Sequence, residues 1–90
     1  MANKRDLKKL INYSSSELFA ECIAVSLYSS SPEQENVDSL LRSIIDMRND
    51  YVERICHVEP GKNPKEYFDA LIQDFNQQIG EVLEQINSLN

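Results

Sequence analysis

The chain contains few of the residues that interrupt regular structure. Its 90 residues include only two glycines and three prolines, and tryptophan is absent. Because glycine and proline mark most turns, their scarcity favours a few long elements over many short ones. A chain of this length forms at most one domain, and we predict a single helical domain over 1–90.

A long apolar run and paired cysteines are also absent. The longest nearly apolar stretch, 18–28, is interrupted by Glu21 and is shorter than the roughly 20 residues that cross a bilayer. No opening segment combines a basic start, an apolar run and a small-residue cleavage site. We therefore predict a cytoplasmic protein in which Cys22 and Cys56 are reduced thiols.

Basic residues are scarce as well, and the formal net charge is −6. The first ten residues carry a local +3, so the other eighty carry −9. An acidic body argues against nucleic-acid binding, which requires a basic face to displace counterions from phosphates. We interpret the basic opening as a solvated helical turn and predict neither a nucleic-acid nor a membrane partner; the alternative is contact with an anion or an acidic membrane surface.

Apolar residues recur every three or four positions through most of the chain, which is typical of helices that pack along one face. The pattern is clearest near the C-terminus, where it comprises Phe68, Ile72, Phe75, Ile79, Val82, Ile86 and Leu89. No stretch alternates with a period of two for long enough to form a strand. The periodicity therefore predicts an all-α fold.

Three helix-start signals divide the chain. Asn3, Ser31 and Asn63 each stand three residues before an acidic or amide side chain, as in a capping box. Pro32 and Pro64 then occupy the first helical position, where the missing N–H is tolerated. These signals predict helices over 4–29, 32–57 and 64–88. Short connections make neighbouring helices antiparallel, so we expect an up-down-up three-helix bundle with left-handed packing.

One group of residues could carry metal or thiol chemistry: Cys56, His57 and Glu59 lie close together in sequence. A single histidine does not supply the ligand set of a structural zinc site, and neighbouring helical residues such as Cys56 and His57 point about 100° apart. We interpret His57 as a residue of the helix C-terminus, where the macrodipole favours it. The sequence therefore predicts no enzyme and no cofactor; a small metal or thiol enzyme is the least favoured alternative.

Arg48 falls where the spacing from Ile44 to Tyr51 requires a core residue. Because an unpaired buried guanidinium is very unfavourable, we predict a structural ion pair with the nearest acids of the other helices, Glu17 or Asp74. In the alternative interpretation, the stem of Arg48 packs on the core while its charged end reaches water.

The first helix carries a second apolar stripe beside the one that faces the bundle. Its large residues are Phe19, Ile23 and Leu27. Because a three-helix bundle buries only one face of each helix, we predict that these residues form an interface. The simplest cover is a second copy related by two-fold symmetry, unless the other two helices of the bundle hide the stripe.

Two segments of the chain resemble a known group of proteins. Residues 8–13 (KKLINY) and 16–22 (SELFAEC) resemble the opening of a family of short bacterial proteins of unknown function. Residues 57–61 (HVEPG) and 65–68 (KEYF) resemble that family's second connection. The resemblance implies a compact helical protein and carries no activity, cofactor or site residue.

The size, the charge and the His-x-x-Pro-Gly loop at 57–61 are similar to those of colicin-type immunity proteins. Those proteins are short acidic helical bundles that bind basic nucleases, but their adjacent tyrosine pair is missing here.

We predict a non-catalytic protein–protein interaction module that self-associates through its first helix, with a second copy or an unidentified protein as partner. The alternative is a small acidic inhibitor, similar to an immunity protein, that binds a basic partner. It would use clustered acids such as Asp46, Asp50 and Glu53 on one exposed face.

Overall fold

The computed structural model of the protein describes residues 4–28, 33–58, 61 and 63–89. These residues form three α-helices: α1 (Lys4–Tyr28), α2 (Gln34–Cys56) and α3 (Pro64–Asn87). Helices of this length are each about 35 Å long, and they lie side by side in a bundle with extents of 51 × 19 × 16 Å. No strand occurs within the described ranges. The prediction of an all-α three-helix bundle is confirmed.

The start of α2 differs from the prediction. Glu33 is extended (φ −72°, ψ 117°) and is the N-cap, so the helix begins at Gln34, two residues later than predicted. The Glu33 carbonyl accepts the backbone N–H groups of Asn36 and Val37, but no side chain caps this end. The predicted cap at Ser31 and the proline after it lie outside the described residues, as does the predicted cap of α1 at Asn3.

The start of α3 agrees with the prediction. The side chain of Asn63 accepts a hydrogen bond from the backbone N–H of Lys65 at 3.0 Å, and Pro64 follows as the first helical residue. Gly61, in the preceding connection, has a φ of 87°, a conformation that residues with a Cβ rarely adopt. The chain therefore enters α3 through a turn that requires glycine and a cap that satisfies an N–H group.

The apolar core divides into two clusters along the bundle. The first core cluster contains Leu18, Cys22, Val37, Leu40, Ile44, Val82 and Ile86. The second core cluster contains Leu7, Ile11, Tyr51, Ile55, Leu71 and Phe75. The first joins the end of α1 to the start of α2 and the end of α3, and the second joins the opposite ends. Neighbouring helices are therefore antiparallel, in up-down-up order.

Candidate functional site

The packing of α1 on α2 is polar in the region between the two core clusters. Arg48 follows the buried Ile44 by one turn, and Ser15 follows the buried Ile11 by one turn. By helical spacing, both therefore occupy positions where a bundle normally places apolar side chains. A groove of about 320 Å³ lies here; we call it the Arg48 groove, and its lining residues are Asn12, Ser15, Ser16, Phe19, Ile44, Ile45 and Arg48.

Two neutral amides hold the guanidinium group of Arg48. Its Nε donates to Asn12 Oδ1 at 2.8 Å, and its Nη1 donates to Asn49 Oδ1 at 2.7 Å. The side chain is exposed, so its charged end reaches water as in the alternative interpretation. The contact with Asn12 joins α2 to α1 in the middle of the bundle.

The predicted ion pair of Arg48 is wrong in its partners. Asp74 instead binds Arg54, and Glu17 lines a different groove between α1 and α3. The reason is rotational, because residues 48 and 54 are six positions apart and so point about 120° apart around α2. Arg54 therefore reaches α3, whereas Arg48 reaches α1 and meets Asn12 there.

Arg54 connects α2 to α3 through two carboxylates. Its Nη2 lies 2.9 Å from Asp50 Oδ2, and its Nη1 lies 3.1 Å from Asp74 Oδ2. Burial lowers the pKa of Arg54, but Asp50, Asp74 and neighbouring groups outweigh it, so the pKa is raised. Sequence reasoning missed this residue, although the spacing of Asp50 and Arg54 is that of a helical ion pair.

Tyr51 completes this network from inside the core. Its hydroxyl donates to Asp74 Oδ2 at 2.8 Å, and the Arg54 guanidinium lies 4.8 Å from its ring centroid. Its ring meets that of Phe75 edge-on, with centroids 5.1 Å apart. Burial raises the pKa of Tyr51 to about 12, and the hydrogen bond to the Asp74 carboxylate acts in the same direction. The network joins α2 to α3, and its side chains also line a groove of about 430 Å³ on this side of the bundle.

Ser15 is the most unusual residue of the Arg48 groove. It is only 5% exposed, and its hydroxyl has no hydrogen-bond partner among the described residues. An unsatisfied buried hydroxyl destabilises a fold by about 1–3 kcal/mol, so cores seldom retain one. Sequence reasoning did not single it out, because a serine between apolar positions gives no indication of whether its hydroxyl finds a partner.

The predicted interface residues of α1 become more exposed toward the end of the helix. Phe19 is half-buried and packs against the first core cluster, whereas Ile23 is 39% and Leu27 77% exposed. Ile45 of α2, which is 47% exposed, lines the Arg48 groove together with Phe19. The other helices of the bundle therefore do not hide this stripe.

The opposite side of α1 carries exposed apolar residues that the sequence analysis did not single out. Leu10 and Tyr13 of α1 are exposed, and so is Leu83 of α3. A groove of about 310 Å³ runs here between α1 and α3, and the carboxylate residues Glu17 and Glu21 line it.

The two cysteines lie in different environments. Cys22 is fully buried in the first core cluster, and burial raises its pKa, which disfavours the reactive thiolate. Cys56 and His57 are exposed at the end of α2, and Glu59 lies outside the described residues. In the described part of the chain, histidine, cysteine, aspartate and glutamate side chains form no group of three that could hold a metal ion.

Charge is distributed unevenly along the bundle. We call residues 16–28, 33–45 and 77–89 the acidic half, since they carry seven acids against one base, Arg42. The acids are Glu17, Glu21, Glu33, Glu35, Asp38, Glu81 and Glu84. Residues 4–15, 46–58 and 63–76 carry seven bases and seven acids, and we call them the balanced half. Asp46, Asp50 and Glu53 are exposed as predicted, but they belong to the balanced half, where Asp50 is paired with Arg54.

Comparison with protein families, with curated proteins and with solved structures finds no match to this chain. The resemblances to a bacterial family and to immunity proteins therefore stay predictions. Within the described ranges, none of the helices combines the length and the apolar character needed to cross a bilayer.

Proposed function

We propose that this protein is a non-catalytic protein–protein interaction module that self-associates through α1. The observation that carries the proposal is the apolar stripe of Phe19, Ile23 and Leu27, in which Ile23 and Leu27 are exposed, with the exposed Ile45 of α2 beside it. Contiguous exposed apolar side chains mark interaction surfaces more often than isolated ones do. We also assign the protein to the cytoplasm, because its two free cysteines suit a reducing compartment.

A second copy is the partner that the position of the stripe on α1 favours. A two-fold axis perpendicular to the bundle places the same α1 face on both copies and makes the two copies antiparallel. With this axis near Ile23, the stripe of one copy packs on the stripe of the other. The basic residues at the start of α1, from Lys4 to Lys9, then lie at least about 21 Å from the axis along the helix, so the apolar contacts alone carry this arrangement.

Sedimentation velocity of the wild type and two matched variants tests the proposal. Ile23→Glu and Leu83→Glu each place a charge at a position that is 39% exposed, but only Ile23 belongs to the proposed interface. We expect the wild type and Leu83→Glu to be dimers at about 100 µM, and Ile23→Glu to be a monomer with unchanged helical content. A monomeric wild type, or a dimer that Ile23→Glu leaves intact, contradicts the proposal.

The excess of acids in the acidic half favours a second candidate, an inhibitor that binds a basic partner. Association of this kind is driven by complementary charge and weakens steeply with salt. The candidate predicts a monomeric protein that copurifies with a basic protein and releases it as ionic strength rises. Substitution of Glu81 and Glu84 by glutamine should then weaken binding, whereas Ile23→Glu should not.

A further inference from the structure

The Arg48 groove is where this chain departs most clearly from the pattern of its own helices. Ser15 and Arg48 interrupt apolar seams that otherwise continue on both sides, from Ile11 to Leu18 and from Ile44 to Tyr51. Local conflicts of this kind are expected at functional sites, where a polar group is retained despite its effect on stability. The groove is therefore a candidate ligand site.

The first feature of the groove is a positive charge that meets no carboxylate among the described residues. Within the described residues, the arginine–carboxylate ion pairs belong to Arg54, and Arg48 is bound only by the amides of Asn12 and Asn49. Those two bonds fix the plane of the guanidinium while leaving N–H groups of its fork for another acceptor. A planar fork of this kind matches a carboxylate, which it can bind through two parallel hydrogen bonds.

The second feature is the buried hydroxyl of Ser15, which has no hydrogen-bond partner in the part of the chain that the structure describes. Ser15 lines the same groove as Arg48. The hydroxyl oxygen has almost no accessible surface, so an atom bound in the groove does not reach it in this arrangement. Ser15 therefore contributes to a polar floor beside Arg48 and is not a direct contact for a ligand.

The third feature is the apolar wall of the groove. Phe19 and Ile44 contribute to the first core cluster and also line the groove, together with the exposed Ile45. Its volume of about 320 Å³ is at the lower end of the range for small-molecule sites. The groove therefore suits a small ligand that has an apolar body and one charged end.

From these three features we infer that the Arg48 groove binds a carboxylate joined to a small apolar group. The carboxylate meets the guanidinium of Arg48, and the apolar group lies on Phe19 and Ile45. A free organic acid and an acidic side chain on a protein both offer this chemistry. The inference does not depend on self-association, although Phe19 and Ile45 belong to both surfaces.

Titration of the full chain with benzoate, followed by ¹H–¹⁵N NMR, tests the inference. Benzoate carries the proposed charge and body, benzyl alcohol carries only the body, and acetate carries only the charge. We expect saturable shifts at the side-chain amides of Asn12 and Asn49 with benzoate, and binding at least about tenfold weaker with each of the other two compounds. Equal binding of benzoate and benzyl alcohol overturns the inference.

Two matched arginine variants locate the site. Arg48→Gln removes the charge in the groove, and Arg42→Gln removes an exposed charge elsewhere on α2. We expect Arg48→Gln to weaken benzoate binding at least about tenfold and Arg42→Gln to leave it unchanged. Arg48→Lys keeps the charge but lacks the planar guanidinium, so it should bind benzoate with intermediate affinity. This variant replaces Arg48→Gln in the test if Arg48→Gln does not fold. If Arg48→Gln and Arg42→Gln bind benzoate with equal affinity, the inference is overturned.

Two further measurements identify the source of the carboxylate and separate this site from self-association. Tighter binding of the capped dipeptide phenylalanyl-glutamate than of benzoate assigns the carboxylate to a protein side chain, and the reverse order assigns it to a free acid. Because a dimer would cover Phe19 and Ile45, benzoate should bind Ile23→Glu at least as tightly as the wild type. If Ile23→Glu no longer bound benzoate while the wild type did, the inference that one chain forms the whole site would be overturned.

Discussion

The balanced half and the acidic half of the bundle are stabilised in different ways. The balanced half contains the aromatic pair of Tyr51 and Phe75 and both ion pairs of Arg54. The Tyr67 hydroxyl adds a hydrogen bond to the Arg54 carbonyl at 3.0 Å, which is a further connection between α3 and α2. The core of the acidic half is aliphatic apart from Cys22, and acids surround it. Since like charges repel, we infer that the balanced half supplies more of the stability.

The helix starts differ in the same direction. α3 begins in the balanced half, where Asn63 caps a backbone N–H group, and α2 begins in the acidic half at Glu33, which makes no side-chain cap. The exposed Ile23 and Leu27 also belong to the acidic half. The less stabilised half is therefore the one that offers an interaction surface, and the following predictions test that asymmetry.

The largest effect is expected in the aromatic core. Phe75→Ala should lower the free energy of unfolding by about 4–5 kcal/mol, because it leaves a cavity and removes the ring contact with Tyr51. Ile86→Ala, at an equally buried position of the acidic half, should lower it by about 3 kcal/mol. Urea denaturation measures both values. A larger loss for Ile86→Ala would reverse the comparison of the halves.

High pH should also destabilise the protein through the balanced half. The pKa of Tyr51 is raised to about 12 in the folded protein, against roughly 10 for an unfolded tyrosine. The folded state therefore holds this proton to higher pH, and the resulting stabilisation is fully present below pH ~10 and is lost as pH rises toward ~12. The free energy of unfolding should fall by about 2 kcal/mol across that window.

Tyr51→Phe is the control for this pH effect, since it removes the titrating hydroxyl together with its bond to Asp74. The variant should be less stable than the wild type by about 1–2 kcal/mol at neutral pH, and the difference should shrink as pH rises. Urea denaturation at intervals through the alkaline range measures it. A constant difference between the two proteins up to pH ~12 would show that Tyr51 does not titrate as stated.

The helix caps give a smaller and more direct comparison. Asn63→Ala should destabilise the protein by about 1 kcal/mol, because the Lys65 N–H loses its acceptor. Glu33→Ala should change stability by less than about 0.5 kcal/mol, because Glu33 makes no side-chain cap to lose. Thermal unfolding of the two variants in parallel measures the contrast. If Asn63→Ala and Glu33→Ala lost the same stability, the side-chain cap of α3 would not stabilise its helix start more than Glu33 stabilises that of α2.

The smallest effect is a gain in the acidic half. Gly80 is exposed in the interior of α3, and a Cβ added there would have no atom within 4 Å. Gly80→Ala should therefore raise the free energy of unfolding by about 0.5–1 kcal/mol, since alanine loses less conformational freedom on folding. A midpoint of thermal unfolding that does not rise in Gly80→Ala would contradict this prediction.

The fold could be predicted from the sequence because the apolar spacing agrees with the capping residues and prolines that mark the helix starts. Asn63 and Pro64 located the start of α3, and the four-three spacing predicted that Phe75 would face the core, where it is fully buried. The start of α2 could not be located as well, because Ser31 and Pro32 carry a strong local signal whereas the backbone of Glu33 is extended. Local residue preferences therefore fixed the order of the helices but not every boundary.

The candidate site was only partly predictable, because it depends on rotation around the helices. The spacing identified Arg48 as a residue that interrupts an apolar seam, but not that Asn12 would hold it. The carboxylate of Asp74 was assigned to the wrong arginine, because its true partner, Arg54, points to the other side of α2. The Ser15 hydroxyl has no hydrogen-bond partner among the described residues. This depends on how the neighbouring side chains pack, which the order of residues along the chain does not reveal.

Met47 and Ile79 are partly buried apolar residues that pack against both core clusters. Because these two residues connect the clusters, we infer that one end of the bundle can unfold locally while the other end stays folded. The two halves would then behave as separate cooperative units. Amide hydrogen exchange should then be slower in the later turns of α2 around Tyr51 than in the early turns around Val37. A binding partner could in this way tighten one end of the rod without disturbing the other.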